Sequence, residues 1–420
     1  MSAGEVPVPI GVRKALEAFA QGRDGRKGRV VAYPAGQLTR AMVQAGLFNL
    51  VELLAIADRQ PGLQGLSIGA TEVVAPQAIA ALQPEAVLIC SSQFHLSIQA
   101  ELADSLKGTG IAVVDLCASF KAHMVRDLAG QAEHSGLVLL DPGDGVLCLR
   151  EPGFPGRSML ARDAHWSSLE WAIPQFAHYF DNILPAIAPD GEAILDFSRP
   201  GYHTYRESGL RLFSPSVVQP EDLLRQYVEL GKVGPGDTVL DLGAYNGDSA
   251  IFFSRAVGPE GTVLAVEADP YNFAALEKNV REHDLRNVRL TQAAVWSSDG
   301  TGSFLLDASV TSGLVEGFDF GLGDALGDGS RFSRVKTMTL ETVLRDQGLD
   351  RVDVLKMDTE GAEMAILVAS MPLLRRLHPR MIIEPHVADH PEGLGAMVKL
   401  LAENGFEVLW LEKDNLILAT

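Results

Sequence analysis

Cysteine is scarce in this chain of 420 residues, which contains only Cys90, Cys117 and Cys148. No Cys-x-x-Cys pair occurs, so neither a zinc site nor a disulfide framework is expected. No apolar run reaches the roughly 18 residues of a membrane-spanning helix. The opening MSAGEVPVPIGVRK also lacks the basic-then-apolar pattern of a signal peptide. These absences predict a protein of the cytoplasm without a membrane span.

Positive charge is also in short supply. The chain has 35 Lys and Arg against 54 Asp and Glu, a formal net charge of −19. Nucleic-acid binders usually present a basic surface, because neutralising phosphates supplies much of their affinity. We therefore expect neither DNA nor RNA as a partner. The hydrophobic share of 47% is typical of globular proteins, and the length predicts at least two domains.

Short apolar runs alternate with helical stretches in two separate parts of the sequence. This alternation predicts two α/β domains built on mainly parallel sheets. An aromatic segment with Trp166, Trp171, Phe176, Tyr179 and Phe180 lies between them and predicts a packing helix. The expected organisation is a leader helix in 1–27, a Rossmann-like α/β domain in 28–150, an aromatic helical linker in 151–211 and a second α/β domain in 212–420. A Gly-rich segment, 307–334, is interpreted as a lid, with a disordered loop as the alternative.

The stretch VLDLGAYNGDSAIFF places Gly243 and Gly247 between a predicted strand and a predicted helix. Such a turn brings backbone N–H groups close to a ligand. It departs from the dinucleotide pattern because Tyr245 stands where a second glycine would have to admit a pyrophosphate. Asp241, at the strand end, would repel a diphosphate but would suit a cationic amino group. The next strand ends in Glu267, which is suitably placed to bind ribose hydroxyls.

LKMDTEGAEM, residues 355–364, crowds acids at the end of another apolar strand. Glu363 is explained by a helix start, where an acid complements the helix dipole. Asp358 and Glu360 are predicted to face a ligand, because ligands of open α/β sheets bind at the carboxyl ends of strands. Lys356 lies on the buried strand and therefore needs a polar pocket or an acidic partner.

MIIEPH places Glu384 and His386 at the end of the neighbouring strand, on one face. Our hypothesis makes Asp358 or His386 the general base of a reaction at a hydroxyl group, with Glu360 and Glu384 orienting the acceptor. A divalent-metal site of Asp358, Glu384 and His386 is an alternative, but no spacing enforces it and no metal is predicted. A hydrogen-bonded core histidine is a further interpretation of His386.

Together, the DLGAYNGD turn, Val266-Glu267 and the LKMDTEGAE block resemble the FkbM family of S-adenosylmethionine-dependent methyltransferases. VKTMTLETVL (335–344) and MIIEPH (381–386) are similar to the family in order and spacing, and the resemblance covers about 212–420. It implies a class I methyltransferase fold, a seven-stranded sheet with an antiparallel last strand. It also implies O-methylation of a sugar, glycan or secondary-metabolite hydroxyl by an enzyme that could form a homodimer. The catalytic set then comprises Asp358, His386, Glu360, Glu384 and Lys356.

The resemblance also implies a binding role for particular residues in this sequence. The methionine end of the cofactor is expected to contact the glycine turn, and the ribose is expected to contact Glu267. The adenine is expected to contact the residues after the second and third strands. The implied cofactor residues are Asp241, Gly243, Ala244, Tyr245, Asn246, Gly247, Glu267, Ala268, Asp269, Gln292, Ala293 and Asp358. Ala268 departs from the family, many members of which have proline directly after the ribose-binding glutamate.

The first domain looks like the small Rossmann-type domain that precedes some sugar-modifying enzymes. Asp58, Gly65, Gly69, Val74 and Pro76 fit that pattern. Of the first glycine turn only Gly36 is present, and Pro34 replaces a glycine. The domain is interpreted either as a nucleotide-sugar site or as a scaffold without a ligand. For the whole chain, an NAD-dependent oxidoreductase and a non-catalytic nucleotide-sugar-binding protein are the alternative functions.

Overall fold

The computed structural model describes residues 8, 10–21, 26–59, 63–91, 95–117, 120–143, 145–153, 156–162, 165–305, 313–314, 332–386, 393–413 and 415–420. Most of 307–334, the predicted lid, lies outside these residues. The chain divides into two compact units, Met1–Asp127 and Leu128–Thr420. Among the helices in the described part, none is long and apolar enough to cross a membrane.

The first unit contains a sheet of six strands in the order β3-β4-β2-β1-β5-β6. These strands are β1 (Arg29–Tyr33), β2 (Glu52–Ala57), β3 (Ser67–Ile68), β4 (Thr71–Val74), β5 (Ala86–Ile89) and β6 (Ala112–Asp115). Only the β3–β4 pair is antiparallel among the pairs described in this sheet. The central runs VVAY and AVLI are buried, as expected for parallel strands covered on both faces. The helices are α1 (Ile10–Gln21), α2 (Gln37–Gln44), α3 (Ile79–Leu82), α4 (His95–Ser105) and α5 (Phe120–His134), and α5 contains the division between the units.

The second unit begins with a five-stranded sheet in the order β10-β11-β9-β8-β7. Its strands are β7 (Val138–Leu140), β8 (Val146–Arg150), β9 (Arg157–Arg162), β10 (Ala186–Ile187) and β11 (Ala193–Phe197). The predicted aromatic helix is present as α6 (Trp166–Ala172) and α7 (Phe176–Asn182), joined by one 3-10 turn. Phe176, Tyr179 and Phe180 are buried, whereas Trp171 is 43% exposed. A hairpin follows, formed by β12 (Gly201–Thr204) and β13 (Arg211–Ser214).

A seven-stranded sheet forms the centre of the second unit, in the order β16-β15-β14-β21-β22-β24-β23. Its strands are β14 (Thr238–Leu242), β15 (Thr262–Glu267), β16 (Val288–Gln292), β21 (Val354–Met357), β22 (Arg380–Ile383), β23 (Val408–Leu411) and β24 (Leu416–Ala419). β24 runs antiparallel to both of its neighbours, and the other pairs described in this sheet are parallel. The predicted α/β class is therefore confirmed.

Helices cover both faces of this sheet because its strands alternate apolar side chains between the faces. Leu240 and Leu355 pack into one buried cluster, and Val239 and Val354 pack into another. The helices are α8 (Glu221–Leu230), α9 (Asp248–Val257), α10 (Pro270–Glu282), α11 (Leu340–Asp346), α12 (Glu363–Leu377) and α13 (Gly393–Glu403). A four-stranded sheet, in the order β17-β20-β18-β19, comprises β17 (Ala294–Val295), β18 (Gly300–Leu305), β19 (Gly313–Leu314) and β20 (Phe332–Met338).

The first compact unit ends earlier than residue 150, the boundary expected from the sequence. The reason is strand pairing, since β7 and β8 pair with each other and β8 pairs with β9 in the second unit. The segment 151–211, expected to be a helical linker, also contains β9 to β12 and the first residue of β13. These strands are short, and Gly and Pro lie in the segments between them, so no long alternation can be read.

Candidate functional site

The carboxyl ends of β14 and β21 approach each other so closely that only glycine fits at position 243. Gly243 has φ +75°, and a Cβ built there would lie 1.7 Å from the carbonyl oxygen of Asp358. The backbone N–H of Asp358 donates to the carbonyl of Leu242 at 3.1 Å. The absence of a side chain at Gly243 therefore allows the ends of β14 and β21 to come into contact.

The second glycine and the tyrosine between them shape the start of α9. Gly247 has φ +86°, and a Cβ there would lie 2.6 Å from a methyl carbon of Leu276. Tyr245 is also in the left-handed region, at φ +49°. Its backbone N–H donates to Glu267 Oε2 at 2.9 Å, and its hydroxyl donates to the carbonyl of Val217 at 3.0 Å. The turn is thus held on one side by Glu267 and on the other by the segment before α8.

Glu267 is a buried carboxylate at the end of β15, 6% exposed. Its Oε1 accepts the backbone N–H of Asp269 at 2.7 Å. Burial raises the pKa of Glu267 to about 8, and the charge of Asp269 adds to this. Asp269 itself caps α10, because its Oδ1 accepts the N–H groups of Tyr271 and Asn272.

Lys356 joins the ends of β14 and β21 electrostatically. Its Nζ donates to the carbonyl of Gly243 at 2.7 Å and lies 3.3 Å from Asp241 Oδ1 and 3.5 Å from Asp358 Oδ2. Burial alone would lower the pKa of Lys356, but the two carboxylates outweigh it and raise that pKa. The buried lysine therefore has the acidic partners that its position on the strand requires.

A second group of charges surrounds His386, after β22. Its Nδ1 lies 3.2 Å from Glu363 Oε1, and its Nε2 lies 3.6 Å from Glu360 and 4.0 Å from Asp358. Burial would lower the pKa of His386, but these carboxylates raise it to about 10. Burial raises the pKa of Glu360 to about 8. His386 consequently carries its proton at neutral pH.

Glu363 and Glu384 are held by specific hydrogen bonds around this group. Glu363, in the first turn of α12, accepts the backbone N–H of Thr359 at 2.8 Å. Burial acts to raise the pKa of Glu363, but the His386 contact and the backbone donors leave it lowered. Glu384 accepts the hydroxyl hydrogen of Tyr227 at 3.2 Å, and burial raises the pKa of Glu384 to about 7.

A cleft opens above the carboxyl ends of β14, β15 and β21, with an empty volume of about 720 Å³ counted to its open mouth. The lining residues are Gln219, Leu242, Gly243, Tyr245, Asp248, Ser249, Val266, Glu267, Ala268, Asn272, Ala293, Ala294, Val295, Lys356, Asp358, Thr359, Glu360 and Ala362.

The structure brings many of the expected site residues together in this cleft. Those that line it are Gly243, Tyr245, Glu267, Ala268, Ala293, Lys356, Asp358 and Glu360. Those that do not are Asp241, Ala244, Asn246, Gly247, Asp269, Gln292, Glu384 and His386. Asn246 is fully buried, and its side chain bonds to Ser214 Oγ and the backbone N–H of Asp248.

Sequence reasoning missed Asp248, Ser249 and Asn272, which also line the cleft. The signal available for Asp248 was its position directly after Gly247, at the start of the helix, where ligand-binding groups of such turns gather. Asn272 follows Glu267 at the start of α10, and nothing in the local pattern distinguishes it from an ordinary helix residue.

The acids and histidine beside the cleft also form a group that could hold a cation. Within the part of the chain that the structure describes, ligand atoms of Asp358, Glu360 and His386 lie within 4.8 Å of one another. Oxygen and imidazole donors of this kind suit divalent ions. Glu384, which the metal alternative included, is outside this group and bonds to Tyr227 instead.

Comparison with known proteins finds similarity in the second half of the chain. Residues 241–408 match the methyltransferase FkbM domain. The methyltransferase sdnD of Sordaria araneosa is 28% identical over 195 residues, which are 40% of this chain and 73% of that relative.

Solved structures with partial similarity include a methyltransferase and a protein with bound S-adenosyl-L-methionine. A methyltransferase FkbM from Methylobacillus flagellatus KT aligns over 99% of this chain and 94% of its own, with 12% identity and a TM-score of 0.32. Fibrillarin from Aeropyrum pernix, with natively bound S-adenosyl-L-methionine, aligns over 68% of this chain and 97% of its own, with 16% identity and a TM-score of 0.31.

The cleft fits the cofactor of such a domain. S-adenosylmethionine carries a ribose diol, an adenine ring and a cationic amino-acid tail. Glu267 supplies a buried carboxylate for hydroxyl groups, Ala268 and Ala293 supply an apolar surface, and Asp248 supplies a carboxylate oxygen without a protein donor among the described residues. Residues 241–408 thus resemble a methyltransferase FkbM domain, and the chain is an S-adenosylmethionine-dependent methyltransferase.

Proposed function

We propose that this enzyme methylates a hydroxyl oxygen of a sugar, a glycan or a secondary metabolite. The observation that carries the proposal is the pair of carboxylates, Asp358 and Glu360, that line the cleft directly after β21. S-adenosylmethionine, when bound, supplies an electrophilic methyl group. A hydroxyl acceptor must lose its proton as it is methylated, and a positioned carboxylate can accept that proton.

Asp358 is the proposed base. His386 is less suited to that role, because its pKa of about 10 keeps it protonated at neutral pH. Burial raises the pKa of Glu360 to about 8. Its carboxyl group can form a hydrogen bond with the acceptor hydroxyl and so orient the acceptor. His386 holds Glu360 in place from the other side, since its Nε2 lies 3.6 Å from that carboxylate. Glu384 acts from farther away through its hydrogen bond with Tyr227.

The decisive experiment supplies S-adenosylmethionine and a panel of acceptors to the full chain. The panel contains sugars, nucleotide sugars and polyhydroxylated natural products, together with amine and thiol analogues of each hit. Mass spectrometry and NMR then locate the added methyl group. A methyl group on oxygen supports the proposal, whereas methylation confined to the nitrogen or sulfur analogues would refute it.

Two variants test the assignment of the base, with binding of S-adenosylhomocysteine as the measure of an intact cofactor site. Asp358→Asn should lower kcat by at least 100-fold, the lower end of what a general base contributes (about 10²–10⁴-fold). His386→Gln should change kcat less and KM more. The exposed Asp350, on the loop before β21, gives the matched control Asp350→Asn. Full turnover by Asp358→Asn with intact cofactor binding would exclude Asp358 as the base.

We also propose that 212–420 has the class I methyltransferase fold. The strand order of the seven-stranded sheet and the antiparallel β24 support this. Domain boundaries at 27, 150 and 211, a cytoplasmic location and a homodimer remain predictions. Limited proteolysis, cell fractionation and sedimentation would test them in that order.

For the first unit, a scaffold role is the better-supported proposal. The Oδ2 atom of Asp58 accepts the backbone N–H of Ala35 at 2.8 Å, in the turn after β1. That N–H group is one that an anionic phosphate would use at the start of α2. A protein carboxylate already occupies it, which disfavours a nucleotide sugar there. Binding of a nucleotide sugar to the isolated full-length chain, abolished by changes in this turn, would reverse the assignment.

A further inference from the structure

Asp241 is the carboxylate expected to meet the cationic tail of the cofactor, but it lies outside the lining of the cleft. Its side chain is completely buried and does not line the cleft. Oδ2 accepts the hydroxyl hydrogen of Ser249 at 2.6 Å; Oδ1 has no hydrogen bond among the described residues but forms an ion pair with Lys356 Nζ at 3.3 Å. Asp241 therefore holds the turn and the lysine together, and the ammonium group needs another carboxylate.

Asp248 is a carboxylate that does line the cleft. It is 3% exposed and is the first residue of α9. Its Oδ1 accepts the backbone N–H of Ser249 at 2.7 Å. Its Oδ2 is buried and has no hydrogen-bond partner among the described residues. A buried carboxylate oxygen without a donor is costly, so this atom is expected to be satisfied by a ligand.

The donors of the protein near Asp248 are already engaged elsewhere. The hydroxyl groups of Tyr205, Tyr227 and Tyr245 donate to Gln219 O, Glu384 and Val217 O respectively. Lys356 Nζ has Gly243 O, Asp241 and Asp358 as its partners. The charge of Asp248 helps to raise the pKa of each of these three tyrosines, and the charge of Lys356 acts to lower the pKa of Asp248. The surroundings therefore favour a cationic donor that enters from the cleft.

We propose that Asp248 binds the α-ammonium group of the methionine moiety of S-adenosylmethionine. The ammonium group brings three N–H donors and a positive charge, and a charge-assisted hydrogen bond to a carboxylate is the stronger kind. Burial raises the pKa of Asp248 to about 7, and a bound cation would lower it again. The inference rests on the use of this cofactor and is independent of which acceptor is methylated.

The test compares two ligands that differ only at the α-carbon. Isothermal titration measures the binding of S-adenosylhomocysteine and of its analogue in which hydrogen replaces the α-ammonium group. Asp248→Asn should weaken S-adenosylhomocysteine about 10- to 100-fold, as expected for a lost hydrogen bond to a charged group. Binding of the analogue, already weak in the wild type, should change less than threefold, about 0.6 kcal/mol.

Glu341→Gln provides the matched control, because Glu341 is an exposed acid in the first turn of α11, away from the cleft. It should leave both affinities unchanged. Urea unfolding of each variant accompanies the titrations, so that a folding defect is recognised. An equal loss for both ligands would overturn the proposal by showing that Asp248 supports the turn rather than the ammonium group.

Two other results would also overturn it. Unchanged affinity of Asp248→Asn for S-adenosylhomocysteine would show that the ammonium group is bound elsewhere. Failure of the wild type to bind S-adenosylhomocysteine at all would remove the ligand on which the inference depends. None of these outcomes decides whether the acceptor atom is oxygen, which the acceptor panel measures separately.

Discussion

Replacing Gly243 by alanine should separate the ends of β14 and β21. The new Cβ would lie 1.7 Å from the carbonyl oxygen of Asp358, whereas real Cβ atoms essentially never come within 3.0 Å of such an atom. One strand end must therefore move. The movement strains two hydrogen bonds. One joins the backbone N–H of Asp358 to the carbonyl of Leu242, at 3.1 Å, and the other joins Lys356 Nζ to the carbonyl of Gly243, at 2.7 Å.

The expected loss has three parts. A non-glycine residue at φ +75° costs roughly 1–2 kcal/mol. Loss of the backbone hydrogen bond costs about 1 kcal/mol, and loss of the lysine bond about 1.5–3 kcal/mol. Gly243→Ala should therefore lower the free energy of unfolding by about 4 kcal/mol or more, a large part of the roughly 5–15 kcal/mol of a whole protein. Because the turn lines the cleft, affinity for S-adenosylhomocysteine should fall as well.

Gly236 offers the control that separates strain from collision. It has φ +82°, close to that of Gly243, but a Cβ there meets no atom within 4 Å. Gly236→Ala should lose only the roughly 1–2 kcal/mol of backbone strain. Urea unfolding gives both free energies, and titration with S-adenosylhomocysteine gives both affinities. Equal losses of stability in the two variants, with unchanged cofactor affinity in Gly243→Ala, would refute the close approach of the two strands.

Three further perturbations test the charges and caps around the site. Lys356→Met leaves Asp241 and Asp358 without their shared cation and should lower the free energy of unfolding by about 3–5 kcal/mol, measured in urea. A loss below about 1 kcal/mol would contradict the buried pairing. Glu267 has a pKa of about 8 in the folded state and about 4.3 when unfolded, so the folded state binds more protons between these values and wild-type stability falls as pH rises through them. Glu267→Gln should therefore gain stability relative to the wild type between pH 5 and pH 8, and a difference that does not change with pH would disprove the shift. Asp269→Ala removes the cap of α10 and should cost about 1 kcal/mol of unfolding free energy, with Asp269→Asn as the control that keeps a capping group.

The α/β pattern of the second unit could be predicted because its strands are apolar and separated by helices with clear starts. The burial of Lys356 and its need for an acidic partner also followed from its place on a strand. The identity of that acidic partner could not be predicted from the sequence. Asp241 lies more than a hundred positions away in the sequence, and only the parallel pairing of β14 with β21 brings it beside Lys356.

Asp241 was expected to bind the cofactor because its contact with Lys356 cannot be recognised from the sequence. Lys356 and Ser249 engage Asp241, which does not line the cleft, whereas the buried Asp248 directly after the same turn does line it. The sheet of β7 to β11 was beyond prediction for a different reason. Its strands are short, and β11 pairs with β9 across an intervening helical segment.

Because a single cation, Lys356, is shared between Asp241 and Asp358, the two halves of the reaction site are not electrically separate. Asp241 belongs to the turn beside the cleft proposed for the methyl donor, and Asp358 is the base proposed to act on the acceptor. An acceptor that draws Asp358 away from Lys356 strengthens the hold of the lysine on Asp241 and on the carbonyl of Gly243. Binding of one substrate is then linked to binding of the other, and linkage requires the effect to be equal in both directions. Cofactor affinity measured with and without acceptor should therefore differ by the same factor as acceptor affinity measured with and without cofactor.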